Sequence, residues 1–150
     1  METKVLMVCL GNICRSPLAE GILASKVDPL KVFVDSAGTA GYHIGKPPDP
    51  RSITVARGHG LALDHQRCRK FAIRDFRDFD HIYAMDLQNY DALLQMAPGP
   101  RQAGKVKLLL GEAQLGVLEV PDPYHGDLGD FEKVYEMLDK ACTEIAKKLN

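Results

Sequence analysis

The sequence predicts a single-domain α/β fold in which a four-stranded, mainly parallel sheet carries helices on both faces. Short apolar, strand-like runs alternate with helix-like segments along the chain, as in sheets whose parallel strands are joined by crossover helices. The length of 150 residues suits one domain, residues 1–150, with a full hydrophobic core. Ligands of such sheets bind beyond the carboxyl ends of the strands, so we expect polar residues that follow strands to form the functional site.

The first half of the chain predicts two strands and three helices. The predicted strands cover residues 4–8 and 31–34, and the predicted helices cover residues 16–26, 50–58 and 68–76. Ser16 is expected to be the N-cap of the first helix, with Pro17 at its first helical position. Several glycines and prolines predict a loop over residues 41–50.

The second half of the chain predicts two more strands and two helices. The strands cover residues 81–85 and 105–110, and the helices cover residues 86–96 and 131–149. The last helix is the clearest, because its apolar residues keep to one face at a period of about 3.6 residues. No repeat or linker interrupts the alternation, which supports one continuous sheet.

Composition and charge narrow the class of protein. The net charge of −1 offers no broad attraction to nucleic acid or to an anionic membrane, so we expect neither partner. The sequence leaves the oligomeric state open, with a monomer as one expectation. The N-terminal apolar run of about six residues is too short for a signal-peptide core or a membrane span, which favours a cytoplasmic location. A domain of this size has enough core without disulfides, and Cys9 and Cys14 lack the Cys-x-x-Cys spacing of a zinc site, so we expect reduced thiols.

The most informative segment follows the first strand, where residues 9–16 read CLGNICRS. A helix N-terminus offers phosphate unpaired N–H groups and a positive dipole end. Gly11 is expected to allow a left-handed turn, and Asn12 tolerates the same conformation. Arg15 can bind two phosphate oxygens. This field should stabilise a thiolate on Cys9 and make it a nucleophile.

A proton donor is needed if this loop displaces an alkoxide or phenoxide from phosphorus. Asp122 lies between Pro121 and Pro123, which stiffen the backbone, and apolar neighbours and phosphate charge would favour its protonated form. An Asp-Pro pair is by itself a common turn. Because Asp122 follows a strand, as do Cys9, Ser36 and Asp86, it becomes the candidate acid.

The chain resembles the low-molecular-weight protein tyrosine phosphatases over essentially its whole length. The resemblance rests on the segments CLGNICRSP at 9–17, DSAGT at 35–39, DPR at 49–51, MD at 85–86 and DPY at 122–124. It implies a flavodoxin-like or Rossmann-like sheet with a phosphate loop after the first strand. It also implies a two-step hydrolysis of phosphotyrosine or a small aryl phosphate through a cysteinyl-phosphate on Cys9, with Asp122 as acid and then base. The resemblance further implies that this reaction needs no metal or cofactor.

The resemblance implies roles for further residues. Arg15 and the loop amides stabilise the transition state. Asn12, Ser16, Ser36 and His65 form a hydrogen-bond network that shapes the loop and the thiolate. The substrate-binding residues are Leu10, Gly11, Asn12, Ile13, Cys14, Ser16, Tyr42 and Tyr124. The two tyrosines wall the cleft, although Tyr42 could equally be an ordinary exposed loop residue.

Several alternatives stay open at this point. Cys14 is either a small buried hydrophobe or a redox partner that forms a reversible disulfide with Cys9. An arsenate reductase on the same scaffold would need extra thiols in the middle of the chain, and none lies between Cys68 and Cys142. A module that only binds phosphate, or that carries it on Cys9 without hydrolysis, is the remaining alternative.

Overall fold

The computed structural model describes residues 2–150 and contains a four-stranded, all-parallel sheet with the strand order β2-β1-β3-β4. The strands are β1 (Thr3–Cys9), β2 (Val32–Gly38), β3 (His81–Ala84) and β4 (Val106–Leu108). The register of β1 with β2 runs from Thr3 opposite Val32 to Cys9 opposite Gly38. The predicted fold class is confirmed, and β1 lies in the interior of the sheet with its carboxyl end at the point where the strand order reverses.

Seven helices connect and cover these strands within residues 2–150. They are α1 (Arg15–Ala24), α2 (Pro50–Gly58), α3 (Asp75–Asp78), α4 (Leu87–Met96), α5 (Pro100–Ala103), α6 (Leu109–Ala113) and α7 (Leu128–Leu149). Over the same residues, no helix is both long enough and apolar enough to cross a membrane.

The alternation of side chains along β1 divides the core into two layers. Val5, Met7 and Cys9 point to the layer that α1, α2, α6 and α7 cover, whereas Leu6 and Val8 point to the layer that α3 and α4 cover. Both layers exclude water, which explains why the strand is apolar at every position from 5 to 8. The helices therefore lie on both faces of the sheet, as predicted.

The long helix α7 forms where the sequence has its strongest helical period. Its buried face packs mainly against α1 and α2. A capping box fixes its start, because Asp127 accepts a hydrogen bond from the backbone N–H of Asp130 and Asp130 accepts one from Asp127. Helix α7 thus packs against α1, the helix that begins directly after the loop at the end of β1.

The prediction that Ser16 caps α1 is wrong. The helix begins at Arg15, its N-cap is Cys14, and no side chain caps it. The hydroxyl of Ser16 is buried and bonds to Cys9 and Asn12 instead. A capping hydroxyl would have occupied a backbone N–H of the first turn, whereas this arrangement leaves the first-turn donors free of side-chain acceptors.

The predicted helix over residues 68–76 is also wrong. Most of this segment is extended, because its backbone pairs with the end of β2: Gly38 donates to the carbonyl of Arg69, and Phe71 donates to the carbonyl of Gly38. Only α3 is helical there. Two smaller differences occur at strand ends: β2 continues to Gly38 beside β1, and β4 ends at Leu108 because α6 begins at the next residue.

Candidate active site

A cavity of about 330 Å³ opens at the carboxyl end of β1. Its lining combines the loop after β1 with two remote loops, and consists of Cys9, Leu10, Gly11, Ile13, Cys14, Arg15, Tyr42, His43, Asp122, Tyr124 and His125. The nucleophile, the arginine and the carboxyl predicted from the sequence therefore share one cavity. The loops after β1 and β2 emerge at the same edge of the parallel sheet, which accounts for part of this convergence. The expectation that Asp122 directly follows a strand is wrong, because β4 ends at Leu108 and Asp122 reaches the cavity from the loop between α6 and α7.

The loop after β1 owes its curvature to Asn12 and to a close approach by β2. Asn12 is in the left-handed region with a φ of 57°, whereas Gly11 is not, so the left-handed turn predicted at Gly11 falls one residue later. Gly11 instead allows close packing, since a Cβ there would lie 3.2 Å from Cδ2 of His43. A Cβ at Gly38 would lie only 2.7 Å from the carbonyl oxygen of Leu10, so glycine is required beside the loop.

The buried side chain of Asn12 holds the loop together. Its Nδ2 donates to Oγ of Ser16 at 2.8 Å and to Oγ of Ser36 at 3.0 Å, and its Oδ1 accepts from the backbone N–H of Arg69 at 3.0 Å. These bonds join α1, β2 and the segment after α2. The left-handed backbone at Asn12 is thereby stabilised by contacts remote in sequence.

Ser16 carries this network to the nucleophile. Its Oγ lies 3.0 Å from Sγ of Cys9 and already accepts a hydrogen bond from Asn12, which leaves the hydroxyl hydrogen free to donate to the sulfur. At the opposite end, Ser36 donates to Oε1 of Glu20 at 2.6 Å. Burial raises the pKa of Glu20 to about 7, although the bond from Ser36 opposes this shift.

His65 does not belong to this network, contrary to the expectation from the resemblance. It is exposed, and within residues 2–150 its side chain makes no hydrogen bond to Asn12, Ser16 or Ser36. The same segment reaches the loop through other groups: the thiol of Cys68 donates to the carbonyl of Asn12 at 2.8 Å, alongside the N–H of Arg69. Cys68 and Arg69 therefore bond to Asn12, whereas His65, earlier in the same segment, lies at the protein surface.

Glu20 was missed by the sequence reasoning. The signal that could have found it is its position in α1, four residues after Ser16 and hence on the same side of the helix.

Arg15 is buried and oriented by two acceptors. Its Nη1 donates to Oδ2 of Asp86 at 2.7 Å and to the carbonyl of Val120 at 2.9 Å. Burial by itself lowers the pKa of Arg15, but the charges of Cys9, Asp86 and Asp122 outweigh it and raise the pKa overall. The guanidinium is thus a permanent cation at the side of the cavity.

Asp122 lies across the cavity with a side chain that is 45% exposed. Its Oδ1 accepts a hydrogen bond from the backbone N–H of Tyr124 at 3.1 Å, and its Oδ2 lies 3.7 Å from Nη2 of Arg15. The carboxyl therefore faces the same space as the sulfur and the guanidinium. A group bound between them would meet a nucleophile on one side and a proton donor on the other.

Aromatic side chains form the mouth of the cavity. Tyr42 packs edge-on against His43, and Tyr124 packs edge-on against His125. Tyr42 is largely exposed and still lines the cavity, so it combines the two roles considered from the sequence. The two histidines were not predicted, and their only signal in the sequence is that each follows a tyrosine.

Cys14 is the last residue of the loop before α1, and it is buried although it contributes to the lining of the cavity. Its Sγ is 4.0 Å from Oδ2 of Asp49. Burial, together with the charges of Asp49 and Cys9, raises the pKa of its thiol strongly, which disfavours the thiolate. The reversible disulfide between Cys9 and Cys14 stays a prediction. Within residues 2–150, no group of three or more His, Cys, Asp or Glu side chains is arranged to hold a metal ion.

Comparison with known proteins finds matches to one protein family over nearly the whole chain. Residues 4–150 match the family model for low molecular weight phosphotyrosine protein phosphatase. A low molecular weight protein-tyrosine-phosphatase of Streptomyces coelicolor is 41% identical over 152 residues, which cover 97% of this chain and 92% of that one.

Solved structures agree with this match. A protein tyrosine phosphatase of Entamoeba histolytica with Hepes in its active site superimposes with a TM-score of 0.93 at 37% identity, covering 99% of this chain and 97% of that one. Wzb of Vibrio vulnificus in complex with benzylphosphonate gives a TM-score of 0.89 at 34% identity, covering 99% of this chain and 100% of that one.

Proposed function

The chain belongs to the low molecular weight phosphotyrosine protein phosphatase family and is a protein tyrosine phosphatase, and we propose that Cys9, Arg15 and Asp122 carry its reaction. The observation that carries this assignment is the meeting of a thiol, a buried guanidinium and a carboxyl in one cavity, from positions up to 113 residues apart. Each of the three has a separate chemical task.

In the first step, the Cys9 thiolate attacks phosphorus and forms an S–P bond while the bond from phosphorus to the phenolic oxygen breaks. Asp122 donates its proton to that leaving oxygen. Arg15 and the backbone N–H groups of the loop hold the oxygens that carry the developing charge. The phenol leaves, and Asp122 is left as a carboxylate.

In the second step, water attacks the cysteinyl-phosphate. Asp122 accepts a proton from the water, the S–P bond breaks, and inorganic phosphate leaves as the Cys9 thiolate is restored. The hydroxyl of Ser16, 3.0 Å from the sulfur, supports both steps because it stabilises the thiolate as nucleophile and as leaving group.

The aromatic residues at the mouth of the cavity favour an aryl phosphate as the substrate. Tyr42 and Tyr124 both line the cavity, and each offers an aromatic ring against which the ring of phosphotyrosine or of a small aryl phosphate could pack. The benzylphosphonate bound by the Vibrio vulnificus relative also joins an aromatic ring to a phosphorus acid. All four cysteines are free thiols, which favours a cytoplasmic location.

Turnover of phosphotyrosine by three variants tests the assignment. Asp122→Ala is expected to lower kcat by roughly 10²–10⁴-fold, the usual contribution of acid–base catalysis. Cys9→Ser should abolish turnover, and Asp91→Ala, which removes an exposed carboxyl on α4, should leave it unchanged. An unchanged kcat in Asp122→Ala would contradict the acid assignment. Arsenate reduction without phosphatase activity, or a phosphocysteine stable for hours, would instead favour one of the alternatives.

A further inference from the structure

We propose that Arg51 is a positioning residue for the general acid: it holds residues 121–126, here called the acid segment, over the phosphate loop, so that Asp122 faces the leaving oxygen. The proposal rests on the role proposed above for Asp122. It also gives a function to the Asp-Pro-Arg motif at 49–51, which lies outside the three reacting groups.

Arg51 binds the acid segment through two backbone carbonyls. Its Nη2 donates to the carbonyl of Tyr124 at 2.8 Å, and its Nη1 donates to the carbonyl of Gly126 at 2.8 Å. The N–H of the same Tyr124 donates to Oδ1 of Asp122 at 3.1 Å. Fixing the backbone at Tyr124 therefore also fixes the donor that orients the carboxyl.

The acid segment has few other attachments. Its remaining backbone hydrogen bond, from the N–H of Gly126 to the carbonyl of Pro123, is internal. Across residues 2–150, Arg51 supplies every hydrogen bond that links the backbone of the acid segment to the rest of the protein. The other polar attachment is the ion pair of Asp122 with Arg15, at 3.7 Å. Without Arg51, the segment would be held at its two ends, where Val120 bonds to Met85 and Asp127 bonds to Asp130, and between them by that long contact.

Arg51 is itself held rigidly. Its Nε donates to Oδ1 of Asp49 at 3.0 Å and its Nη2 donates to Oδ2 at 2.9 Å, a two-point contact that sets the plane of the guanidinium. That plane also lies 4.4 Å from the ring centroid of Phe131, in α7. A lysine could not reproduce this geometry, because its ammonium is a point charge without a planar fork.

Residues 49–52, at the start of α2, are also attached to the phosphate loop. The N–H of Asp49 donates to the carbonyl of Ile13 at 2.8 Å, and Oγ of Ser52 donates to the carbonyl of Cys14 at 3.2 Å. The start of α2 thus bonds to the loop of the nucleophile on one side and to the acid segment on the other. Arg51 is the side chain that carries this connection to the acid.

The dependence of kcat/KM on the leaving group tests the proposal. Protonation matters little when the phenol is acidic, as in 2,4-dinitrophenyl phosphate, and matters most for phenyl phosphate or phosphotyrosine. Arg51→Met keeps an apolar stem against Phe131 but removes every donor. It is expected to lower kcat/KM for phenyl phosphate roughly 10- to 100-fold, as small misplacements of a catalytic group do, and to have little effect on the dinitrophenyl ester.

A double-mutant cycle separates positioning from a structural role. In an Asp122→Ala background there is no acid left to position, so adding Arg51→Met should change kcat/KM for phenyl phosphate less than twofold. Arg57→Met is the matched control on the same helix, where the arginine pairs with Asp64 at the surface, and it should match wild type with both esters. Thermal unfolding of both Arg51→Met and Arg51→Lys shows whether each variant folds. Arg51→Lys keeps the positive charge and the apolar stem, so it tests the proposal if the methionine variant does not fold.

Equal losses of kcat/KM for both esters, or the same loss with and without Asp122, would overturn the proposal and make Arg51 a support of the fold. Wild-type rates from Arg51→Lys or Arg51→Met with phenyl phosphate would overturn it as well. Failure of the proposed function looks different, because Asp122→Ala alone would then leave the leaving-group dependence as it is in wild type.

Discussion

The buried ion pair between Arg15 and Asp86 allows a prediction of stability whose size can be worked out from the structure. The side chains are 3% and 17% exposed, and Nη1 and Oδ2 lie 2.7 Å apart. Asp86→Ala leaves the guanidinium charged and buried without its main partner, which costs about 3–5 kcal/mol in comparable cases. The substitution also removes the cap of α4, because Oδ1 of Asp86 accepts from the backbone N–H of Asn89, at a further cost of about 1 kcal/mol.

Two remaining contacts of Arg15 place the expected loss at the low end of this range. Its bond to the carbonyl of Val120 at 2.9 Å persists, and Asp122 lies 3.7 Å away. Asp86→Ala should therefore lower the free energy of unfolding by about 4 kcal/mol. For a domain of about this length, 1 kcal/mol corresponds to a change in Tm of about 2–4 °C, so the Tm should fall by about 8–16 °C.

Asp86→Asn separates charge from shape. An asparagine keeps the size of the side chain and one carbonyl acceptor, but it cannot neutralise the guanidinium of Arg15. Asp86 accepts from Arg15 through Oδ2 and from Asn89 through Oδ1, so the single oxygen of asparagine can keep only one of these two bonds. We expect a loss of about 2 kcal/mol, the usual contribution of a hydrogen bond to a charged group. The asparagine variant should thus fall between wild type and the alanine variant in stability.

Urea unfolding at neutral pH, together with thermal unfolding, measures these differences. Asp64→Ala is the control, because Asp64 and its partner Arg57 are 59% and 67% exposed, and such surface pairs contribute only about 0–1 kcal/mol. The reasoning is refuted if Asp86→Ala costs no more than Asp64→Ala, since a buried guanidinium would then tolerate the loss of its carboxylate.

Two further predictions concern the loop and its network. Gly38→Ala should sharply lower both kcat and Tm, because its Cβ would lie 2.7 Å from the carbonyl oxygen of Leu10. In the control variant Gly58→Ala the added Cβ meets no atom within 4 Å, so activity should be unchanged. Equal kinetics for the two variants would refute this prediction. Burial raises the pKa of Glu20 from 4.5 in the unfolded chain to about 7 in the folded protein, so as the pH rises the unfolded chain loses this proton first. The contribution of Glu20 to stability is therefore fully present below pH 4.5 and is lost as the pH rises through about 7. Glu20→Gln keeps an oxygen to accept from Ser36 and should flatten the fall in Tm over that pH range; an equally steep fall in the variant would refute the assignment.

Sequence patterns predicted the elements whose physical cause is local. The apolar run at 5–8 can only be a strand buried on both faces, and the period of α7 requires one buried helical face. The loop at 9–16 was equally readable, because a cysteine, an arginine and a helix start occur within eight residues. Asp122 was singled out because it was expected to follow a strand, and the resemblance supported that choice; an Asp-Pro turn is common, and its neighbours in sequence do not reveal what it faces.

By itself, then, the sequence determined the fold class and placed Cys9 and Arg15 in one loop after the first strand, and it offered Asp122 as the candidate acid. Only the tertiary structure decided how these groups are oriented: the hydroxyl of Ser16 faces the sulfur instead of capping its helix, His65 lies outside the network, and Arg51 binds the acid segment. The physical reason is distance along the chain. A hydrogen bond between residues 51 and 124, or 12 and 69, depends on how separate loops meet at one edge of the sheet, and no local pattern records that meeting.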